Sequence, residues 1–173
     1  MKPRRKYPCY SAREEMAHHE AAHAVFAARF VMDIESVSIK STATGIAGKC
    51  VTKNFPSTGE PDYEYISMLL AGPLAAMRYN PNREFQDAYR LEIKSDTVHT
   101  ADGSDFYQAW DILKQHGFAD REIVDKLEYL ERETKCLLDK VWPQVVNLAK
   151  LIAARGKLTD EIEILDAMEG AAS

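Results

Sequence analysis

The sequence predicts a mainly helical α+β domain with a small β-hairpin beside its first helix. Three observations carry this. Apolar residues recur at helical spacing through most of the 173 residues. One pair of strand-like segments, 34–40 and 46–52, flanks a turn at Ser41-Thr42-Ala43-Thr44-Gly45. The pattern His19-Glu20-Ala21-Ala22-His23 sits within the first helical stretch. The length suits one domain able to bury its own core. We set its limits at 11–168, between a basic tail (1–10) and a fraying end (169–173).

The first helix is expected to start near Ala12, because Ser11-Ala12-Arg13-Glu14 has the Ser-x-x-Glu form of a capping box, which contributes about 1 kcal/mol. Met16, His19, Glu20, His23, Phe26, Ala27 and Phe30 then share one face, with Glu14, His18 and Arg29 opposite; His18 is expected in solvent. Residues four apart on a helix have Cβ atoms roughly 5–6 Å apart, so His19 and His23 can reach one metal at about 2.0–2.1 Å. Glu20 falls between them, beside the open coordination position, and suits a base. Histidines and a glutamate on an apolar face are seldom buried without a purpose, which favours a metal site over a chance pattern.

Two strands cannot stand alone in water, so the hairpin must pack on helices. Asn54 to Pro61 is rich in turn formers and reads as a loop, with Pro61 suited to the first turn of the next helix. That helix places Ile66, Leu69, Leu70, Leu74 and Met77 at core spacing; Pro73 within it predicts a kink, and it ends before Asn80-Pro81. Residues 83–100 are charged and weakly periodic and read as a surface excursion with at most one helical turn. His99 within it is a candidate ligand, though a lone histidine in a polar loop is more often solvated.

Asp102-Gly103-Ser104-Asp105 opens a helix with Phe106, Ala109, Trp110 and Leu113 inward and Gly117 as its stop. Asp102, Ser104 and Asp105 would ordinarily cap such a helix; alternatively Asp105 supplies a third metal ligand, and spacing does not choose. The remainder is helical. Asp120 is expected to cap a run with Ile123, Leu127, Leu130 and Leu137, Pro143 to bend it or start a new helix with Val145, Leu148, Ala149 and Ile152, and Gly156 to stop it. Thr159 is expected to open a last short helix carrying Ile162, Leu165 and Met168.

Composition narrows the classes. The hydrophobic fraction is 46% and the charged fraction 28%, as in globular proteins, and no apolar run approaches the roughly 20 residues of a membrane span. A net charge of -5 argues against nucleic acid as the main partner. Cys9, Cys50 and Cys136 are odd in number and widely spaced, which predicts reduced thiols in the cytoplasm rather than disulfides. The basic start is not followed by a signal-peptide core, and no Gly-x-x-x-x-Gly-Lys-Ser/Thr phosphate loop occurs.

With both ends of the site in view, the chain resembles the proteolytic domain of the FtsH-type ATP-dependent zinc proteases over roughly residues 11–168. His19-Glu20-Ala21-Ala22-His23-Ala24-Val25 resembles that family's zinc helix, and Leu70-Ala71-Gly72-Pro73-Leu74-Ala75-Ala76 its small-residue second helix. Gly103-Ser104-Asp105-Phe106 with Ala109 looks like the segment whose aspartate is the third zinc ligand, and Val145 to Leu165 is similar to the closing helices. The resemblance implies a helical zinc-peptidase fold, zinc held by His19, His23 and Asp105, and Glu20 as general base. It departs where Pro73, Ala76 and Met77 stand in place of the family's arginine and paired glutamates. Neither the family's membrane helices nor its ATPase domain lies within these residues, so a free-standing relative or an excised domain is expected.

Other readings are narrower. A metzincin would carry Gly at 26 and His at 29, where this chain has Phe26 and Arg29, and a deformylase-like enzyme would use a cysteine ligand, for which Cys50 lacks the context. A non-catalytic zinc-stabilised binding module has no use for Glu20. The expectation is therefore a cytoplasmic zinc metalloendopeptidase acting on peptides or unfolded segments, without nucleic-acid or membrane partners. A separate ATPase or adaptor and a homo-oligomer stay open, as does replacement of Asp105 by Asp102 or His99.

Overall fold

A computed structural model of the chain describes residues 10–53, 61–81 and 104–170. The elements run α1 (Ala12–Arg29), β1 (Asp33–Thr42), β2 (Gly45–Lys53), α2 (Tyr63–Tyr79), α3 (Asp105–Gln115), α4 (Asp120–Arg155), β3 (Lys157–Leu158) and α5 (Glu161–Met168). The expected mainly helical α+β class is what forms. The segment 83–100 with His99, Asp102, the 54–60 loop, Cys9 and the outer parts of both tails lie outside the described residues.

α1 is the central element: it packs on β1 and β2, on α2 and on α4, and every residue from Glu20 to Ala27 is buried. A helix buried on all sides shows little amphipathic contrast, and its run of alanines lets its neighbours approach closely. Ser11 caps it as expected, its hydroxyl accepting the Glu14 N–H at 3.4 Å, but the other half of the capping box is not used in that way. The Glu14 carboxylate instead accepts from the Tyr79 hydroxyl at 2.6 Å, tying α1 to the end of α2.

β1 and β2 form the antiparallel hairpin, with Val37 opposite Cys50 and Ile39 opposite Gly48. A third strand, not anticipated, joins the other edge of β1: Lys157 and Leu158 pair with Ser38 and Val37, giving the order β2-β1-β3. Gly156 does end α4, at φ +82, and its carbonyl accepts the Ile39 N–H at 2.7 Å, so the stop signal also delivers the chain to the sheet.

Three expectations are corrected. Pro143 does not start a new helix; a single helix spans Asp120–Arg155. Ile123, Leu127, Leu130, Thr134, Leu138, Val141, Val145, Leu148 and Ile152 form one buried stripe through the proline, and burial along that stripe outweighs the ~3 kcal/mol an internal proline costs. Its cap is Ala119, whose N–H is taken by the Glu122 carboxylate at 2.9 Å, and Asp120 is already helical. In α5 the cap is Asp160 rather than Thr159; Ile164, Ala167 and Met168 face inward, while Ile162 and Leu165 are exposed. Docking of α5 on α4 and β1 fixes that phase, which a short helix with many apolar positions leaves ambiguous.

α2 continues through Pro73 as one helix, with Ile66, Leu69, Leu70 and Leu74 buried as expected. It packs against α1 on one side and α3 on the other, and so sets the distance between the two histidines and Asp105. α3 starts where the sequence placed it: Ser104 caps by accepting the Tyr107 N–H at 3.2 Å, and Phe106, Ala109 and Leu113 are buried, with Trp110 half-buried. No helix among the described residues is long and apolar enough to cross a membrane.

Candidate metal centre

Three elements meet at the site. α1 contributes His19, Glu20 and His23, the first residue of α3 contributes Asp105, and β2 closes one side. One helical turn separates the histidines, whose rings lie edge to face with centroids 4.7 Å apart. His19 Nε2 is 3.0 Å from His23 Nε2 and 2.9 Å from Asp105 Oδ2, and His23 Nε2 is 3.3 Å from the same oxygen. The sequence left Asp105 open between cap and ligand; the fold carries it across 86 positions to the histidines.

The donor chemistry fits a divalent metal. Two imidazole nitrogens and one carboxylate oxygen converge, all within 4.8 Å of one another. Bonds of 2.0–2.1 Å to a tetrahedral centre would separate its ligands by about 3.3–3.4 Å, close to the spacings found, with a fourth position left over. His23 Nδ1 lies 2.8 Å from the Met68 carbonyl oxygen. A carbonyl only accepts, so Nδ1 carries the hydrogen, and Nε2 is the atom turned to the site, where its lone pair would serve a bound metal. Such an outer hydrogen bond is what metal-binding histidines make, and here α2 supplies it.

The charges reinforce one another. Burial works against the Asp105 carboxylate, but the hydrogen bonds and charges of His19 and His23 hold its pKa well below the usual carboxylate range. Burial alone would lower the His23 pKa; Asp105, Glu20 and the Met68 carbonyl together raise it to about 9. Glu20 stands apart, with Oε1 4.0 Å from His19 Nε2. Burial pushes its carboxyl pKa up, against the pull of both histidines. Burial also pushes the Cys50 thiol up, with Glu20 and Asp105 adding to the effect, and Cys50 is not among the three converging ligand groups.

Glu20, His23 and Asp105 line a cleft of about 340 Å³ together with Gly48, Tyr65 and Gln108. Two glycines wall the site, and neither was singled out as a site residue. A Cβ at Gly72, on α2, would lie 2.6 Å from His23 Cε1 and 2.8 Å from His19 Nε2. One at Gly48, on β2, would lie 2.6 Å from Glu20 Cδ. Neither has a positive φ, so each is glycine for space rather than for backbone conformation. A glycine inside an apolar helix, and one interrupting a strand's alternation, were the signals available.

His18 corrects an expectation. It is 8% exposed rather than solvated, stacked on Tyr79 at 4.3 Å and on Trp142 at 5.6 Å between ring centroids. Its Nδ1–H donates to the Glu14 carbonyl at 2.7 Å. The face opposite the ligands is covered by α2 and α4, which the pattern of α1 alone could not reveal. Compared with known proteins, the chain matches no family model and no curated protein.

Proposed function

We propose that the chain is a zinc-dependent metalloendopeptidase that hydrolyses peptide bonds in unfolded or flexible protein segments. The observation that carries this is the convergence of His19, His23 and Asp105, with Glu20 beside them but outside the ligand triangle, at the wall of an open cleft. A purely structural site would be closed by a fourth protein ligand and would not need a neighbouring carboxylate. The resemblance of the zinc helix, the small-residue helix and the Gly103-Ser104-Asp105-Phe106 segment to FtsH-type proteases supports the same reading.

His19, His23 and Asp105 would hold the metal, two nitrogens and one oxygen suiting zinc. Bound there, zinc acts as a Lewis acid that lowers the pKa of water and polarises a carbonyl. Glu20 accepts the proton of the attacking water and passes it to the departing amine nitrogen. Burial raises its pKa above the usual carboxylate value, a direction that suits a group that must both take and return a proton. The Met68 carbonyl holds the His23 ring in its tautomer throughout. The same reading sets the enzyme in the cytoplasm, where the free thiols Cys50 and Cys136 would stay reduced.

The test is metal content by elemental analysis alongside hydrolysis of an unfolded protein and of a stable folded one, each with and without ATP. About one zinc per chain, cleavage of the unfolded protein and indifference to ATP are expected, because opening a folded domain costs about 5–15 kcal/mol and the sequence has no phosphate loop. Metal without hydrolysis would instead favour a zinc-stabilised binding module. ATP stimulation, or equal rates on both proteins, would reject the substrate preference.

A further inference from the structure

Resting on the peptidase reading, we propose that Gly48 is a positioning residue for the catalytic carboxylate: the bare backbone of β2 seats Glu20, and any side chain at 48 displaces Glu20 while leaving the metal ligands in place.

The inward row of β2 is Ile46, Gly48 and Cys50, on the same side of the sheet as Ile39 and Val37, the buried β1 partners of Gly48 and Cys50. Ile46 and Cys50 pack on the core, and Gly48 between them leaves a gap one side chain wide. Glu20 fills that gap. A Cβ at 48 would lie within 2.6 Å of Cγ and Cδ of Glu20, and closer still to Oε1; no other side chain is among its three nearest atoms. The strand cannot retreat, because pairing with β1 continues on both sides, through Ala47–Lys40 and Lys49–Ser38. Glu20 cannot retreat along its helix either, since α1 is buried around it. The carboxylate is therefore what moves. Gly72 is the counterpart: its Cβ would meet the rings of His23 and His19 and leave Glu20 alone. Two glycines on two elements thus govern two separable functions, ligand placement and base placement.

The experiment compares Gly48→Ala with Gly72→Ala in three measurements: zinc affinity, the kcat and KM for an unfolded substrate, and the ¹³C side-chain carboxyl resonance of Glu20 in the metal-free chain, assigned with Glu20→Gln. Gly48→Ala should bind zinc like the wild type, shift the Glu20 resonance, and lose kcat by about 10²-fold, the scale of a 1 Å misplacement, with KM nearly unchanged. Gly72→Ala should lose zinc affinity. An unshifted Glu20 resonance, zinc loss in Gly48→Ala, or a fall in rate carried by KM would overturn the proposal, the last showing that position 48 meets substrate instead. Should Gly48→Ala fail to fold, the double variant with Glu20→Asp, whose carboxylate is one methylene shorter, should fold; failure there too would show that the clash is not with Glu20 and overturn the proposal. A wild type without hydrolysis would reject the peptidase reading alone, since the resonance shift and the zinc affinities do not depend on it.

Discussion

His18 and His23 sit five residues apart on α1 and are almost equally buried, 8% and 5% exposed, yet the fold treats them oppositely. His18 is sandwiched between the rings of Tyr79 and Trp142, and burial lowers its pKa against the pull of Glu14. Trp142 is covered in turn by the Arg78 guanidinium, 4.4 Å from its ring centroid, and Arg78 pairs with Asp139. His23 faces Asp105 and Glu20, and its pKa is raised to about 9. Burial of a histidine therefore does not mark function. What separates the two is whether charged or lone-pair-bearing groups converge on the ring, as they do for His23, or apolar faces do, as for His18.

The largest test of this contrast is substitution of each. His23→Ala should abolish metal binding and hydrolysis together, while His18→Ala should keep its full metal content and lose only stability, about 2–4 kcal/mol for a large-to-small change in a packed site. Elemental analysis and chemical denaturation read the two; equal metal loss from both variants would erase the distinction. Next, Glu20→Gln keeps shape but cannot take a proton, so it should bind zinc normally and lose about 10²–10⁴-fold in kcat. Full activity in that variant would remove Glu20 from the mechanism. A weaker effect is expected of Met68→Leu: no side chain makes the Met68 contact, so this variant should leave zinc affinity nearly unchanged, as measured by competition with a chelator, because the carbonyl that holds His23 is retained.

The smallest effect is in the pH dependence of stability of the metal-free chain. His18 has a lowered folded pKa, so in acid the unfolded chain binds more protons, and the stability of wild type relative to His18→Phe should fall as pH drops below 6.5. His23 has a raised folded pKa, so the folded chain binds more protons between 6.5 and about 9, and the stability of wild type relative to His23→Leu should fall as pH rises through that window. Urea denaturation from pH 5 to 9 gives both difference curves. Slopes of the same sign would mean that the two environments do not differ as described.

The helix, its Ser11 cap and the placement of His19, Glu20 and His23 were legible in the sequence because they depend on local geometry, 3.6 residues per turn and a side-chain oxygen at the cap. The hairpin was legible for the same reason, its alternation being local. Asp105 was visible only as one of two readings of a helix start, and the choice waited on α2, which packs between α1 and α3 and brings Asp105 to the histidines. The burial of His18, the passage of α4 through Pro143, the pairing of β3 with β1 and the closeness of Gly48 and Gly72 to the site likewise depend on what packs against each residue. Spacing along one element fixes which side chains share a face; only the packing of elements distant in sequence decides what that face meets, because burial and charge are set by neighbours rather than by order in the chain.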